Sequence, residues 1–565
     1  MKQICFLAFL LFNLQVNAQS SKIRIAGEID ENLKLDASLT LNSNIPITSD
    51  KLKIYNLSAG KNTLNQPAII INSISAGEEQ LRYELDGDWI KLKEVSKIDK
   101  LTINYTLSLK DIFDWRKTIG YAMFSSANNK SCWYPDIYIE ESREYNKDFE
   151  VELIHPEKLK LITSGRPEIT KHSNRKNKSF FKADRVRCFA LNVGEDFVLE
   201  TIKIGETEVF YSCPKELAET YDFVANEAVK AISWYIEKYG FFPKKYIGIA
   251  MGHKRWGGGF PSENLFYIHR GNLKKDYLQW ITSHELGHYF WGYHVLSEEF
   301  SPLMLANGIW IDHLYLSEAY GLSLEDTWNT GAHRADMMGR YIESFLSNVE
   351  QKIGLTSQEQ DELDFDYNSK IAHGKASLGI YLLSREIGFD NFLRIQKELL
   401  NKYHNKYLST QSFIDYCVSE GWDFAETFMN QWSKRNAIIE YDLRNISIEK
   451  KNENWHYSFE IYKKGTVDYP IEIEVKDEDQ NRYEHKTKAK LGIRKEIISG
   501  VSKKKPIIFN LDPKGIVPMW NSSHPAIQRN YILALNRAGH TNVARELAIS
   551  FLKKFPDDKR VKAIF

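Results

Sequence analysis

The chain has 565 residues, more than a single hydrophobic core usually organises, so several domains are expected. Hydrophobic residues make up 43%, charged residues 27% and aromatic residues 13%, which excludes a disordered or low-complexity chain. Lys and Arg together number 75, as do Asp and Glu, so the charge balance does not support general binding to nucleic acid or to an anionic membrane. The function must therefore be sought in a local site, and we expect no nucleic-acid partner.

The first 18 residues have the features of a secretory signal peptide. Lys2 supplies a positive charge, residues 4–12 are apolar, and Val16, Asn17 and Ala18 form a small-residue cleavage signal. The apolar stretch is too short to span a bilayer, and no later segment approaches the ~20 apolar residues that a transmembrane helix needs. We expect a mature chain that starts at Gln19, has no transmembrane anchor, and is exported to a periplasm or secreted.

Four cysteines remain after the signal peptide, at positions 132, 188, 213 and 417. They are widely spaced and none forms a Cys-x-x-Cys pair, so they do not constitute a disulfide framework. An oxidising compartment permits a bridge, but the spacing assigns none. We expect buried free thiols.

Hydrophobic periodicity divides the chain into β and α regions. Residues 23–201 show short strands, with clean alternation over residues 101–109. Helical spacing begins over residues 215–239, a strand over residues 246–251 follows, and helical patterns then continue from 276 to about 436. Alternation returns over residues 442–511, where about seven short strands would make a small sandwich. Two helices, over residues 525–538 and 541–555, end the chain.

These patterns predict a multidomain α+β protein. After the signal peptide, residues 19–200 form an N-terminal β domain and residues 201–440 a mostly helical domain. Residues 441–515 form a β-sandwich domain, and residues 516–565 form a C-terminal helical pair that docks on the body.

One short motif, His-Glu-Leu-Gly-His at residues 284–288, specifies chemistry. On a helix, His284 and His288 lie on the same face one turn apart, so both imidazoles can bind one metal ion. Glu285 is placed to take a proton from water that the metal activates. Apolar residues around the motif indicate a helix. Chance is the alternative, since roughly a few chains in a hundred of this size show the pattern. The motif predicts one zinc ion per chain.

Around this motif the sequence resembles the zinc aminopeptidases related to aminopeptidase N, the gluzincins with an HExxH motif. The run Cys-Trp-Tyr-Pro at residues 132–135 is similar to that family's Trp-Phe-Pro turn. Residues 259–264, Gly-Phe-Pro-Ser-Glu-Asn, resemble its Gly-Ala-Met-Glu-Asn exopeptidase motif, with one residue more between the glycine and the glutamate. The resemblance covers most of the mature chain. It implies an N-terminal β domain, a thermolysin-like catalytic domain over residues 201–440 and then a β-sandwich.

The resemblance also implies the substrate. The glutamate of the exopeptidase motif binds the free α-amino group of a peptide, and Glu263 inherits this role, with Gly259 and Asn264 in the same motif. A fixed carboxylate at the closed end of a cleft selects an ammonium group. It therefore positions the peptide so that cleavage removes one N-terminal residue. Taken without the nearby metal motif, the glycine run at residues 257–259 would be a flexible turn. The expected partners are peptides with a free N-terminus.

Two residues depart from the family pattern. The family's third zinc ligand is a glutamate nineteen residues after the second histidine, where this chain has Asn307, while Gly292 and Glu298 keep the register. An amide is a weaker zinc ligand than a carboxylate. The family's transition-state tyrosine aligns with His373, and losing such a donor costs ~3 kcal/mol, although a histidine can also donate. The predicted metal ligands are His284, His288 and Asn307, and the predicted catalytic residues are Glu285 and His373.

Other residues were weighed as the third ligand. His294 has the spacing of the third metzincin histidine, but Trp291 stands where that pattern needs a glycine. Asp312 lies five residues beyond Asn307 and is placed further round the helix. His373 itself is the remaining option, and it would give a three-histidine zinc site. Residues 307–308, Asn-Gly, also have the composition of a turn, although residues 303–316 otherwise show a helical pattern.

The sequence therefore predicts an exported zinc aminopeptidase that hydrolyses N-terminal residues from peptides. The alternative is a catalytically inactive homologue that binds peptides or acts as a scaffold. Retention of Glu285 favours the enzyme, because an inactive site has no physical need for that carboxylate, whereas Asn307 and His373 favour the alternative. Nothing in the sequence selects a third option, a hydrolase of amides or epoxides.

Overall fold

The computed structural model describes residues 20–48, 51–54, 69–86, 89–93, 97–109, 118–120, 133–135, 137–138, 147–173, 175–195, 197–252, 257–296, 302–329, 337–356, 359–360, 362–488 and 492–565. They belong to two compact units. The first comprises the chain up to Ser233 together with Lys244–Leu273, and the second comprises Trp234–Pro243 together with Lys274–Phe565. Both strands and helices are abundant, so the chain is a multidomain α+β protein. The finer division at residues 200, 440 and 515 stays a prediction.

The first unit is built mainly of strands. In chain order they are β1 (Lys22–Ile29), β2 (Lys34–Ile47), β3 (Lys51–Ile54), β4 (Ile69–Ala76), β5 (Glu79–Gln80), β6 (Tyr83–Asp86), β7 (Trp89–Leu92), β8 (Ile98–Ser108), β9 (Thr118–Gly120), β10 (Ile137–Tyr138), β11 (Lys147–Pro156), β12 (Leu159–Thr163), β13 (Arg166–Ser173), β14 (Lys176–Val186), β15 (Leu191–Glu195), β16 (Phe197–Ile204), β17 (Thr207–Pro214), β18 (Tyr246–Met251), β19 (Gly259–Ser262) and β20 (Leu265–Ile268).

An eight-stranded sheet dominates this unit, in the order β13-β14-β11-β1-β2-β8-β4-β5. Strand β1 pairs antiparallel with β2 and parallel with β11. Strand β8 confirms the alternation predicted over residues 101–109, since Leu101, Ile103, Tyr105 and Leu107 are buried and the residues between them are more exposed. Two smaller sheets have the orders β10-β3-β7-β6 and β12-β15-β9.

A five-stranded sheet in the same unit carries the residues of the predicted exopeptidase motif. Its order is β16-β17-β18-β20-β19, so β19 is an edge strand, and it pairs antiparallel with β20. Strand β18 matches the strand predicted over residues 246–251, and all six of its residues are buried, as expected for a strand between parallel neighbours. The predicted domain boundary between residues 200 and 201 lies inside β16.

The helices lie mainly in the second unit. Helix α1 (Ala218–Tyr239) matches the helix predicted over residues 215–239 and belongs to the second unit from Trp234 onward. The others are α2 (Lys275–Gly287), α3 (Pro302–Tyr320), α4 (Leu324–Asn329), α5 (Met337–Leu346), a π-helical stretch (Asn368–Ala376), α6 (Ser377–Ile387), α7 (Phe389–Lys402), α8 (Thr410–Ser419), α9 (Phe424–Trp432), α10 (Pro525–Arg537), α11 (Thr541–Lys554) and α12 (Lys559–Lys562). Helices α10 and α11 confirm the predicted C-terminal pair. No described helix is long and apolar enough to cross a membrane.

The remaining strands of the second unit follow α9. They are β21 (Tyr441–Lys451), β22 (Asn454–Lys463), β23 (Glu472–Asp477), β24 (Arg482–Lys486), β25 (Lys495–Ser502) and β26 (Pro506–Leu511). They form two three-stranded sheets, β21-β22-β25 and β24-β23-β26, where the sequence predicted about seven strands.

Three of the four cysteines expected in the mature chain, at positions 188, 213 and 417, are buried, and Cys132 lies outside the described residues. Cys213 and Cys417 are free thiols, as predicted.

Two glycines allow α2 and α3 to approach closely. A Cβ atom at Gly287 would lie 3.2 Å from the carbonyl oxygen of Gly308, so the helices touch backbone to backbone at this point. Residues 307–308 lie well inside α3, so the helical pattern over residues 303–316 is confirmed and the alternative of a turn at Asn-Gly is excluded. The glycine at 308 serves a helix crossing instead. This crossing brings His284 of α2 into contact with Asp312 of α3, each about one turn from the glycine at the crossing.

Candidate metal and catalytic site

Helix α2 brings the two histidines of the motif together. His284 lies in its last turn and His288 directly follows its last residue, Gly287. The helix itself confirms the sequence prediction. The two imidazole rings have centroids 4.8 Å apart and are nearly perpendicular, and both side chains are buried. Paired rings at this separation in one helical turn are the arrangement that two ligands of one metal ion require.

Asp312 orients the first of these rings. The Nδ1 atom of His284 donates a hydrogen bond of 2.8 Å to Oδ2 of Asp312. Because a carboxylate only accepts, the proton of the neutral ring is on Nδ1 and Nε2 keeps a lone pair. The other oxygen, Oδ1, accepts from Nδ1 of His313 at 2.6 Å. Carboxylates commonly hold metal-binding histidines in this way.

Sequence reasoning considered Asp312 only as a poor metal ligand and missed this contact. Helix geometry offered a signal that would have found it. Asp312 is four residues after Gly308 and His284 is three before Gly287, so each lies one turn from the glycine at which its helix crosses the other.

Glu285 is buried beside the two rings, with 2% of its side chain exposed. Its Oε2 atom has no hydrogen-bond partner among the described residues. Burial raises the pKa of Glu285 well above its usual value, and the negative charge of Asp312 raises it further. Burial therefore favours the protonated form of this carboxyl group, and a cation placed among the histidines would favour the carboxylate.

Two of the histidines here are held in their neutral form. Burial lowers the pKa of His288 well below its usual value, and the charges that His284 and His373 carry when protonated lower it further. Burial also lowers the pKa of His373, followed by the charge of Arg340. A neutral imidazole has the lone pair that a metal ligand needs.

His373 comes from the π-helical stretch. Its Nδ1 atom donates 2.8 Å to the carbonyl oxygen of Asn368, five residues earlier, which is the spacing of a π-helix. The ring is half-buried, and its centroid lies 5.8 Å from that of His284. The structure thus brings His373 to the same place as the paired histidines.

Packing on both sides of His373 holds this stretch in place. A Cβ atom at Gly374 would lie 2.9 Å from the backbone nitrogen of Tyr341, so only glycine allows this approach to α5. The fully buried Lys375 forms an ion pair with Glu350 and donates to the carbonyl oxygens of Gln351 at 2.8 Å and Lys434 at 2.5 Å. A buried charge is tolerated only when it is paired and hydrogen-bonded in this way.

Asn307, the predicted third metal ligand, has its side chain engaged elsewhere. Its Nδ2 atom donates to the carbonyl oxygen of Leu303 at 2.9 Å, and its Oδ1 atom accepts from Nε2 of Gln396 at 2.9 Å. Gln396 in turn accepts a hydrogen bond of 2.6 Å from the hydroxyl of Tyr239. The amide is therefore part of a buried hydrogen-bond chain that connects α3, α7 and the end of α1.

The residues present fit a divalent metal ion in part. His284 has an oriented lone pair, His288 is held neutral beside it, and Glu285 has a buried oxygen with no partner in the described ranges. However, no three His, Cys, Asp or Glu side chains among the described residues are arranged to hold a metal ion. His294, weighed as an alternative ligand, donates from Nε2 to the carbonyl oxygen of Leu400 at 3.1 Å and stacks on His404.

Glu263 belongs to the first unit and sits in the turn between β19 and β20. It is buried, and its Oε2 atom accepts a hydrogen bond of 2.7 Å from Nζ of Lys244, while Oε1 accepts a long one of 3.4 Å from the backbone nitrogen of Arg187. The carboxylate thus already binds one ammonium group, that of Lys244. Sequence reasoning did not foresee this partner.

The other predicted motif residues take structural positions in the same unit. Gly259 begins β19 opposite Ile268. Asn264 adopts a left-handed conformation, with φ of 55°, which asparagine tolerates better than most residues, and its Nδ2 atom donates to the carbonyl oxygen of Ser164 at 2.9 Å. The Trp-Tyr pair of the run at residues 132–135 is buried and hydrogen-bonds to the backbone of Phe189. Glu298, used for the register, lies outside the described residues.

Comparisons with known proteins give a fold. No protein-family model matches the sequence, and no curated protein matches it. Among solved structures, the crystal structure of Legionella pneumophila aminopeptidase A in complex with aspartic acid is similar, with a TM-score of 0.65 and 14% sequence identity over 96% of this chain. This chain spans 64% of the length of that protein. The chain therefore has an aminopeptidase-like fold.

Proposed function

We propose that this chain is an exported zinc aminopeptidase that removes N-terminal residues from peptides. One arrangement carries the proposal: the ring of His284, fixed by Asp312, has its centroid 4.8 Å from that of His288. The neighbouring Glu285 has a buried oxygen that has no hydrogen-bond partner among the described residues. The aminopeptidase-like fold supports the same activity. Metal-dependent hydrolysis uses this combination of two imidazoles and one unpaired buried carboxyl group.

Each residue has a distinct proposed task. His284 and His288 hold the zinc ion, and the third ligand is Asn307 or His373, the two residues between which the sequence leaves the choice open. When bound, zinc acidifies water and polarises a carbonyl group. Glu285 takes a proton from the attacking water and delivers it to the leaving amine, which requires its carboxylate form. Burial and the charge of Asp312 raise the pKa of this carboxyl group, and a bound cation would lower it again.

The assignment of Glu263 rests on its motif alone. We propose that its carboxylate binds the α-amino group of the substrate, with Gly259 and Asn264 shaping the turn that holds it. In the structure this carboxylate binds the ammonium group of Lys244. A substrate ammonium therefore has to displace or share the hydrogen bond of Lys244, and two like charges then compete for one carboxylate.

The alternative function is a catalytically inactive homologue that binds peptides or acts as a scaffold. One observation favours it: within the described part of the chain, no three His, Cys, Asp or Glu side chains are arranged to hold a metal ion. The two functions differ in whether the protein turns over any substrate.

The deciding experiment measures metal and turnover on the full chain. Zinc is quantified by mass spectrometry, and a panel of aminoacyl fluorogenic amides is tested with the wild type and with Glu285→Gln. We expect about one zinc per chain, and a loss of kcat of at least about 100-fold in Glu285→Gln with zinc content unchanged. Glu318→Gln, on the outer face of α3, is the matched control and should retain full activity.

Two outcomes contradict the proposed enzyme. Bound zinc without turnover of any substrate supports the inactive homologue. A protein that contains no zinc after purification and refolding in zinc-supplemented buffer is not a zinc enzyme.

Export is a separate proposal that rests on the first 18 residues of the sequence. Removing residues 2–18 should retain the protein in the cytoplasm of an expressing bacterium. Fractionation, with N-terminal sequencing of the mature protein, tests both export and cleavage before Gln19.

A further inference from the structure

The hydrogen bond of His373 decides what this ring can do. Its Nδ1 atom donates to the carbonyl oxygen of Asn368 at 2.8 Å. A carbonyl oxygen cannot donate, so in the neutral ring the proton is on Nδ1 and Nε2 carries a lone pair. A hydrogen bond to a developing oxyanion needs a proton on the atom that faces it. In this tautomer Nε2 can accept a hydrogen bond or bind a metal ion, but it cannot donate.

His373 therefore matches His284 in its chemistry. Each ring is anchored through Nδ1 to an oxygen acceptor, Asp312 for His284 and the backbone of Asn368 for His373. Each has a lone pair on Nε2. An anchored Nδ1–H with Nε2 as the ligand is the usual state of a metal-binding histidine, because the anchor fixes the tautomer.

The ring separations suit a common ion. With zinc–nitrogen bonds of about 2.0–2.1 Å in a tetrahedral site, the centres of two imidazole ligands lie about 5 Å apart. The centroid of His284 is 4.8 Å from that of His288 and 5.8 Å from that of His373. In the described ranges the three rings do not yet converge on a metal-binding point, so His373 must turn or shift toward His284 when the ion binds.

Asn307 is less able than His373 to serve as the third metal ligand. Its oxygen accepts from Gln396 and its nitrogen donates to the backbone of Leu303. Turning the amide toward a metal ion would leave the buried amide of Gln396 without this acceptor, and such a loss is unfavourable in the protein interior. Within the described part of the chain the hydrogen bond of the His373 ring is at Nδ1, so metal binding at Nε2 would not replace it.

We propose that His373 is the third protein ligand of a zinc site formed with His284 and His288, in place of Asn307. This inference depends on one part of the proposed function, namely that His284 and His288 bind the metal ion. Three neutral ligands leave the full charge of the ion uncompensated, and the fourth position stays open, as in catalytic zinc sites.

The test measures metal binding without using turnover. The metal-free full chain is titrated with Zn²⁺ against a chromogenic chelator and with Co²⁺, whose visible absorption reports the number and geometry of its ligands. We expect His373→Ala to weaken Zn²⁺ binding by about 100-fold or more and to change the Co²⁺ spectrum. Losing a ligand should lower the affinity at least as much as losing a residue that only orients a ligand. Asn307→Ala is the matched control, and its Zn²⁺ affinity should stay within about threefold of wild type.

A second variant protects the test against misfolding. His373→Gln retains most of the side-chain volume, and circular dichroism checks that both His373 variants fold. Added imidazole should restore the wild-type Co²⁺ spectrum to His373→Ala, because it replaces the missing ring.

The results separate this inference from the proposed function. If Asn307→Ala loses affinity and His373→Ala keeps it, the third ligand is Asn307 and the inference is overturned, while the zinc enzyme survives. If both variants lose affinity equally, His373 has no special role and the inference is again overturned. If the wild type binds no metal, the proposed zinc enzyme fails as well.

Discussion

Asp312 holds the imidazole of His284 by a hydrogen bond of 2.8 Å between Oδ2 and Nδ1, and both side chains are buried. The same carboxylate accepts from His313 through its other oxygen. Each oxygen of Asp312 thus receives one imidazole N–H group. By accepting both hydrogen bonds, Asp312 fixes the orientation of the His284 ring, the first histidine of the motif at residues 284–288.

Replacing Asp312 by Asn should weaken metal binding. An amide has one accepting oxygen, so one of the two N–H donors would face an NH₂ group, and the ring of His284 would lose its fixed orientation. We expect the Zn²⁺ affinity to fall by about 10- to 100-fold, measured by chelator competition. His313→Phe is the control, since it removes only the second donor and can still stack on Trp328, and its affinity should stay near wild type. Wild-type affinity in Asp312→Asn would contradict an anchoring role.

The crossing of α2 and α3 predicts different effects for two glycines. A Cβ at Gly287 would lie 3.2 Å from the carbonyl oxygen of Gly308, whereas a Cβ at Gly308 would have its nearest contact at 3.8 Å. We expect Gly287→Ala to lower the free energy of unfolding by about 1–3 kcal/mol, because backbone has to move. Gly308→Ala should be neutral or stabilising by up to about 1 kcal/mol, because alanine favours helix. Urea unfolding of the metal-free protein measures both, and equal effects would contradict the close crossing.

The ion pair between Lys244 and Glu263 is expected to matter for stability. Glu263 is buried, so Lys244→Met would leave a carboxylate in the interior whose remaining hydrogen bond, among the described residues, is the long one from the backbone nitrogen of Arg187. We expect a loss of about 3–5 kcal/mol in the free energy of unfolding. Adding Glu263→Gln should recover part of this loss, because the uncompensated charge is then gone.

A neighbouring lysine provides the matched control for this pair. Lys245 pairs with Glu206 at 3.1 Å, but their side chains are 84% and 82% exposed. Solvent screens such a pair, so Lys245→Met should change stability by less than about 1 kcal/mol. A similar loss in Lys244→Met and Lys245→Met would show that burial does not strengthen the first pair.

Asp512 should make stability depend on pH. Burial raises the pKa of this carboxyl group from 3.8 to about 7, although hydrogen bonds from Ser522 and from the backbone of Ile516 oppose the shift. The folded state then binds the proton more tightly than the unfolded state. The stability from this proton is complete below about pH 4 and is lost as the pH rises to about 7, a decrease of a few kcal/mol at ~1.4 kcal/mol per pKa unit.

The variant Asp512→Asn isolates this contribution. Its backbone φ of 48° is left-handed, which asparagine accepts, so the variant should fold. Unfolding by urea between pH 4.5 and 7.5 should show a smaller fall in stability for Asp512→Asn than for the wild type. Parallel pH profiles would mean that Asp512 titrates at its ordinary pKa.

The sequence predicted regular elements well because their periodicity is local. Strand β18 and helices α2 and α10 lie where the patterns place them, since burial of one face or of a whole strand leaves a mark within a few residues. His284, Glu285 and His288 could be proposed in the same way, because the motif at residues 284–288 is contiguous.

The side-chain partners were not predictable in this way. The sequence predicted Asn307 as a metal ligand, yet its amide bonds to Gln396, which is 89 residues away in the chain. Glu263 bonds to Lys244, and His284 to Asp312. Such pairings depend on how helices and strands cross, and a single sequence carries no periodic signal for them. The π-helical spacing at His373 was missed for the same reason, since one widened turn is too short to change a pattern.

The π-helical stretch Asn368–Ala376 has a consequence for how this segment tolerates change. A π-helix contains more residues per turn than an α-helix, so the stretch accommodates length that an α-helix of equal rise would not. If the stretch became α-helical with the same number of residues, α6 would turn about its axis, because each residue of an α-helix turns the chain by about 100° and each residue of a π-helix by less. The buried side chains of Leu382 and Leu383 would then face different neighbours. The widened turn thus sets the orientation of α6 as well as the position of His373, and a variant in which the stretch becomes α-helical should disturb both.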